Sequence, residues 1–89
     1  MRVSNSQTSH RIVTPEQLRA ARGLLDWSRG QCGKVVGVSS ETVKNIEKGV
    51  YTPSDETIEK IINGFSIYGV SFFTQHGVAL REVKPNERL

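Results

Sequence analysis

The chain has 89 residues, with 12 lysines and arginines against 9 aspartates and glutamates, for a formal net charge of +3. That length supports one small domain, near the lower range at which a core folds alone, and the mild basic excess suits a polyanionic partner without identifying one. A single cysteine excludes an internal disulfide and a thiolate zinc site, and no apolar run resembles a membrane span or a signal-peptide core, so a reducing cytoplasm is the expected compartment.

Residues 1–13 are polar and too poor in apolar side chains to offset their ordering entropy, so they are expected to form a disordered N-terminal arm. A first helix is announced by Thr14 as cap, Pro15 at the first helical position and Gln17 closing a capping box. Leu18, Ala21 and Leu25 follow at spacings of three and four and form its core stripe, with Arg22 beside them.

Ser28 and Gln31 repeat the capping pattern, so a second helix starts at about Arg29 and turns Cys32, Gly33 and Val36 inward. Two glycines in it, Gly30 and Gly33, cost about 1–2 kcal/mol together relative to alanine. Gly37 stops this helix, Val38 plugs the corner, and Ser39 caps a third helix that buries Val43 and Ile46 and ends at Gly49. What remains on the outer side of the third helix is Ser40, Glu41, Lys44, Asn45 and Lys48. These side chains hydrogen-bond well and add little to a core.

After a loop at 50–53, a fourth helix begins at about Ser54 or Asp55, with Asp55 and Glu56 complementing its dipole. Ile58, Ile61, Ile62, Phe65 and Tyr68 share one face, Gly64 weakens its continuity, and Gly69 is the expected stop. Residues 70–83 then read as a β-hairpin, Val70–Phe73 and Val78–Arg81 around a glycine-containing turn. An isolated hairpin is marginal in water, so it is expected to pack on the fourth helix or, preferentially, on a second copy of the chain through Phe72, Phe73, Val78 and Leu80. Residues 84–89 form a charged tail.

Trp27-Ser28, Gly37-Val38-Ser39, Val43, Ile46, Glu47-x-Gly49 and Thr52-Pro53, in this order and spacing, resemble the helix-turn-helix of the phage-repressor or Xre class over about residues 14–73. The resemblance implies an all-α, four-helix, lambda-repressor-like DNA-binding domain at 14–69, here with a short C-terminal β-hairpin, whose third helix lies in the major groove. It implies that Arg22 pairs with Glu47, and that Ser40, Glu41 and Asn45 occupy the positions used for base edges, where asparagine suits adenine and glutamate suits the cytosine amino group. Glutamine is the commoner residue in that family where this chain has Arg29.

Helix N-termini accept phosphate, which makes Ser28, Arg29 and Ser39 candidate backbone contacts, joined by Lys44, Lys48 and Tyr51. Glu41 needs a base donor or a nearby cation, because phosphates repel a carboxylate. Cys32 reads as a small core residue and Trp27 as a packing residue at the first corner. No cofactor, metal site or enzymatic constellation is expected. The expected function is a dimeric transcriptional regulator, most simply a repressor of a near-palindromic operator, with RNA polymerase as a further possible partner. The rival expectation is a protein-interaction module, such as an antitoxin bound to its toxin or an adaptor.

Overall fold

The computed structural model describes residues 12–73 and 77–81. Most of the expected arm, the tip of the hairpin and the C-terminal tail lie outside the described residues. Within them the chain runs α1 (Pro15–Leu24), α2 (Arg29–Val36), α3 (Ser40–Glu47), α4 (Asp55–Ile67), β1 (Val70–Phe72) and β2 (Val78–Leu80). The strands pair antiparallel, with Val70 opposite Leu80, Ser71 opposite Ala79 and Phe72 opposite Val78.

Each helix starts where a hydroxyl side chain meets its third backbone amide. Gln17 N–H donates to Thr14 Oγ1 at 3.1 Å while Thr14 N–H donates to Gln17 Oε1 at 3.0 Å, a complete capping box. Ser28 and Gln31 form a second, with both distances 3.0 Å. Ser39 and Ser54 cap α3 and α4 by accepting from Thr42 and Thr57. Each such cap is worth about 0.5–2 kcal/mol, so the four boundaries are set largely by short-range chemistry.

The core is one cluster containing Val13, Leu18, Ala21, Cys32, Val36, Val43, Ile46, Ile58, Ile61, Phe65 and Val70. Val13 corrects the expected arm boundary. It precedes the N-cap Thr14, the position from which an apolar side chain can staple onto the fourth residue of the helix, here Leu18, and it is buried with Leu18 in the same cluster. Leu25 also shifts role: α1 ends at Leu24, and Leu25 is its C-cap, packed on the rim of the core.

The sequence suggested that Gly64 would weaken α4, yet the helix runs unbroken through it. Gly64 is where α4 touches α2: a Cβ built there would lie 2.8 Å from Val36 Cγ1. Close helix approach offsets the glycine's poor intrinsic propensity. Trp27 packs against Phe65 at a ring-centroid distance of 5.1 Å and meets Tyr68 edge-on at 5.0 Å, so it joins the first corner to α4.

The hairpin finds its support within the chain. The Phe72 ring stands edge-on to Phe65 at 5.5 Å, and Phe72 and Val78 both pack on the core cluster. The fully buried Gln17 donates from Nε2 to the carbonyls of Phe73 and Gly77, at 2.6 and 2.9 Å, pinning the strand ends next to the hairpin turn to the start of α1. Shelter by a second copy is therefore not required for Phe72 and Val78, which corrects the reason given for expecting them at a dimer contact. Phe73 and Leu80 remain 55% and 40% exposed.

Cys32 is buried and free. Loss of solvent pushes its thiol up to about 11, the Glu47 charge adding to the rise and Arg22 opposing it. The folded state keeps this proton at pH values where the unfolded chain releases it. The associated stability is therefore intact below the ordinary value of 9.0 and is lost as pH rises from there through about 11. A thiol reagent at pH 8 should leave the native protein unlabelled and label it fully in denaturing urea; fast labelling without denaturant would contradict the burial.

Candidate nucleic-acid interface

The turn between α2 and α3 sets how the third helix is presented. Gly37 ends α2 at φ 91°, a left-handed conformation that favours glycine, and the amides of Gly37 and Val38 both donate to the Gly33 carbonyl, at 2.8 and 2.9 Å. Val38 is half-buried against the core, as its place in the corner suggested, and Ser39 opens α3 at once. Gly33 allows this tight path. A Cβ at that position would sit 2.5 Å from the Val38 carbonyl oxygen.

Helix α3 divides cleanly by face. Val43, Ile46 and Glu47 are buried, while Ser40, Glu41 and Lys48 are exposed and Lys44 and Asn45 half-exposed. The residues expected at base edges, Ser40, Glu41 and Asn45, thus lie on the side turned away from the core. Lys44 Nζ lies 3.5 Å from Glu41 Oε1. That pair supplies the cation Glu41 needs near a polyanion. Because both side chains are solvated, its worth to stability is small.

Ser28 and Ser39 are exposed at the starts of α2 and α3, and each hydroxyl oxygen accepts its own helix's third amide. Capping was legible for both residues. It occupies their acceptor side, and the Ser28 O–H remains able to donate. Tyr51 is 42% exposed in the loop after α3.

The ion pair expected between Arg22 and Glu47 is present and larger than expected. Glu47 has a fully buried side chain and accepts from Arg22 Nε at 2.8 Å and Arg22 Nη2 at 3.0 Å, while Arg22 Nη1 donates to the Trp27 carbonyl at 3.0 Å. The hydrogen bond to Glu47 holds the Arg22 guanidinium more firmly protonated than usual, against the opposing effect of its partial burial. Arg29, expected only as a phosphate contact, also donates from Nε to Glu47 Oε1 at 3.1 Å. Arg19, which the sequence did not single out, donates from Nη1 to the Glu47 backbone carbonyl. Its spacing from Arg22 places it on the same side of α1, a signal that its exposed position concealed.

A family model for the helix-turn-helix matches residues 18–71, from the core stripe of α1 into β1 and including every residue of the turn and of α3. No curated protein matches the chain. Among the described residues, no helix is long and apolar enough to cross a membrane.

Proposed function

We infer from one premise, that this chain belongs to the Xre/Cro-like helix-turn-helix family of DNA-binding regulators, that it represses transcription by occupying a near-palindromic operator as a homodimer in the cytoplasm. The observation that carries this reading is the division of α3 into a side buried through Val43, Ile46 and the ion-paired Glu47 and an outward polar side, at the end of a capped, glycine-tightened turn. In such a geometry the helix enters the major groove, and two copies read half-sites about 34–36 Å apart on one side of the duplex.

The residues take distinct roles in this reading. Asn45 pairs with an adenine edge, Glu41 accepts from a cytosine amino group beside its Lys44 counter-charge, and Ser40 tolerates several bases. Lys44, Lys48 and Tyr51 hold the backbone, together with Ser28, Arg29 and Ser39 at the two helix starts. The dimer forms through Phe73 and Leu80, the large apolar hairpin side chains that remain exposed. Phe72 and Val78 support that surface from beneath. Repression follows from promoter occlusion. No catalytic role enters the reading.

Selection of bound duplexes from a random pool, followed by titration at two salt concentrations, tests it. Asn45→Ala should cost about 1–3 kcal/mol on the preferred site and relax the choice of base at one position per half-site. Lys44→Ala should weaken binding evenly across sequences and reduce the salt slope by about one. If neither variant changes duplex affinity, α3 does not read DNA.

The rival reading, an antitoxin or adaptor that binds another protein, has one observation in its favour: Ile67 at the end of α4 is 74% exposed and Phe73 in the hairpin 55%. Weak duplex binding that enriches no sequence would favour it. Sedimentation at low micromolar concentration separately tests the dimer.

A further inference from the structure

Three arginines converge on Glu47, and their donors are not used alike. Arg22 engages Nε, Nη1 and Nη2 with protein acceptors, namely the two Glu47 carboxylate oxygens and the Trp27 carbonyl. Arg29 makes a single bond, from Nε, and its two terminal nitrogens meet no acceptor among the described residues. Arg19 likewise commits only Nη1, to the Glu47 backbone carbonyl at the end of α3.

The placement favours an anion. The Glu47 carboxylate faces two guanidinium groups and its main-chain carbonyl a third, so positive charge is in surplus around this residue, and Arg29 is also the first residue of α2, at the positive end of that helix's dipole. Guanidinium forks match phosphate oxygens in pairs, and a fork whose inner donor is already fixed loses less freedom when its outer donors bind. The Arg29 side chain is 40% exposed while its partner carboxylate is wholly enclosed, so the anchored end faces inward and the spare donors are accessible.

We propose that Glu47 is a positioning residue that holds Arg19 and Arg29 as two phosphate grips on the duplex backbone, while Arg22 is structural alone. This rests on the DNA-binding reading above and adds to it a site at the junction of α1, α2 and the end of α3. Its consequence is that the end of the reading helix and the backbone grip are one unit. A phosphate bound by these arginines fixes α3 through Glu47, from both its carboxylate and its main chain.

The test compares salt slopes of duplex binding with thermal midpoints of the free full-length protein. Each phosphate contact contributes about 0.9 to the slope of log affinity against log salt. Arg19→Gln and Arg29→Gln should each lower the slope by about one, weaken binding evenly across sequences, and lower it by about two when combined. Arg22→Lys, which keeps the charge but not the three bonds, should lower the thermal midpoint and leave the slope unchanged. Arg29→Lys should restore the slope but bind more weakly than the parent, because one ammonium cannot serve Glu47 and a phosphate with the same fixed geometry. A parental slope in folded Arg19→Gln or Arg29→Gln, with Lys44→Ala still lowering it, overturns the grip and leaves the recognition reading intact. Full parental affinity in Arg29→Lys overturns the positioning role of Glu47. A parental slope in Lys44→Ala as well removes both readings.

Discussion

Replacing Phe65 with alanine is expected to leave the free protein largely unfolded at room temperature. Phe65 is fully buried, and its ring contacts Trp27 on one side and Phe72 on the other, so it joins the α1–α2 corner, α4 and the hairpin in one aromatic stack. Truncating a buried phenylalanine costs about 3–5 kcal/mol, from lost transfer energy and the cavity left behind. A domain of this length has only a few kcal/mol of total stability, and each kcal/mol corresponds to roughly 4–8 °C in the melting midpoint. Circular dichroism melts should therefore show the midpoint falling by tens of degrees. Excess cognate duplex should recover part of the fold, because a ligand that binds only the native state stabilises it. A loss below about 1 kcal/mol would mean that the stack is not the centre of the core.

The second large effect runs against helix propensity. Glycine to alanine inside a helix ordinarily stabilises by about 1 kcal/mol, yet Gly33→Ala should destabilise this protein by about 1–3 kcal/mol, the usual range for overpacking a tight core position. The added methyl would meet the Val38 carbonyl at 2.5 Å and the Ser39 carbonyl carbon at 3.2 Å, backbone atoms that cannot swing aside as a side-chain tip can. Relief requires moving the turn itself, and Ser40 follows immediately. Duplex affinity should consequently fall by more than the loss of folded protein explains. Gly30→Ala is the control: its added Cβ has only the Ser28 hydroxyl, at 3.8 Å, for a neighbour. It should leave affinity unchanged and stability equal or higher. Urea melts and duplex titrations of the two variants side by side decide the matter; a stabilised Gly33→Ala would show that the turn yields freely.

Much of this architecture could be read from local chemistry. Thr14, Ser28, Ser39 and Ser54 mark helix starts because a hydroxyl and an amide three residues on satisfy each other without help from the rest of the chain. The face of α3 was legible because Val43 and Ile46 declare the inner side and leave Ser40, Glu41, Lys44 and Asn45 outward. Features that depend on distant partners were not legible. Gln17 shows its capping role in sequence but conceals its bonds to carbonyls 56 and 60 residues away. Glu47 gives no sign that Arg19 and Arg29 join Arg22 around it, since neither lies at helical spacing from it. Gly64 reads as a weak point until the approach of Val36 is known. Val13 looks like part of a polar tail because its burial depends on a neighbour across the cap.

The side-chain amide of Gln17 also orders events in time. The helix caps close over three residues, whereas joining α1 to the hairpin requires nearly the whole domain to be traversed by one loop. Chain closure on that scale is slower and entropically dearer than local turns. The strand pair is thus expected to be the last part to anneal and the first to release during partial opening, with the helices around α3 persisting beneath it. Amide hydrogen exchange would register that order as early loss of protons from Phe73 and Arg81, while those of α2 and α4 stay protected.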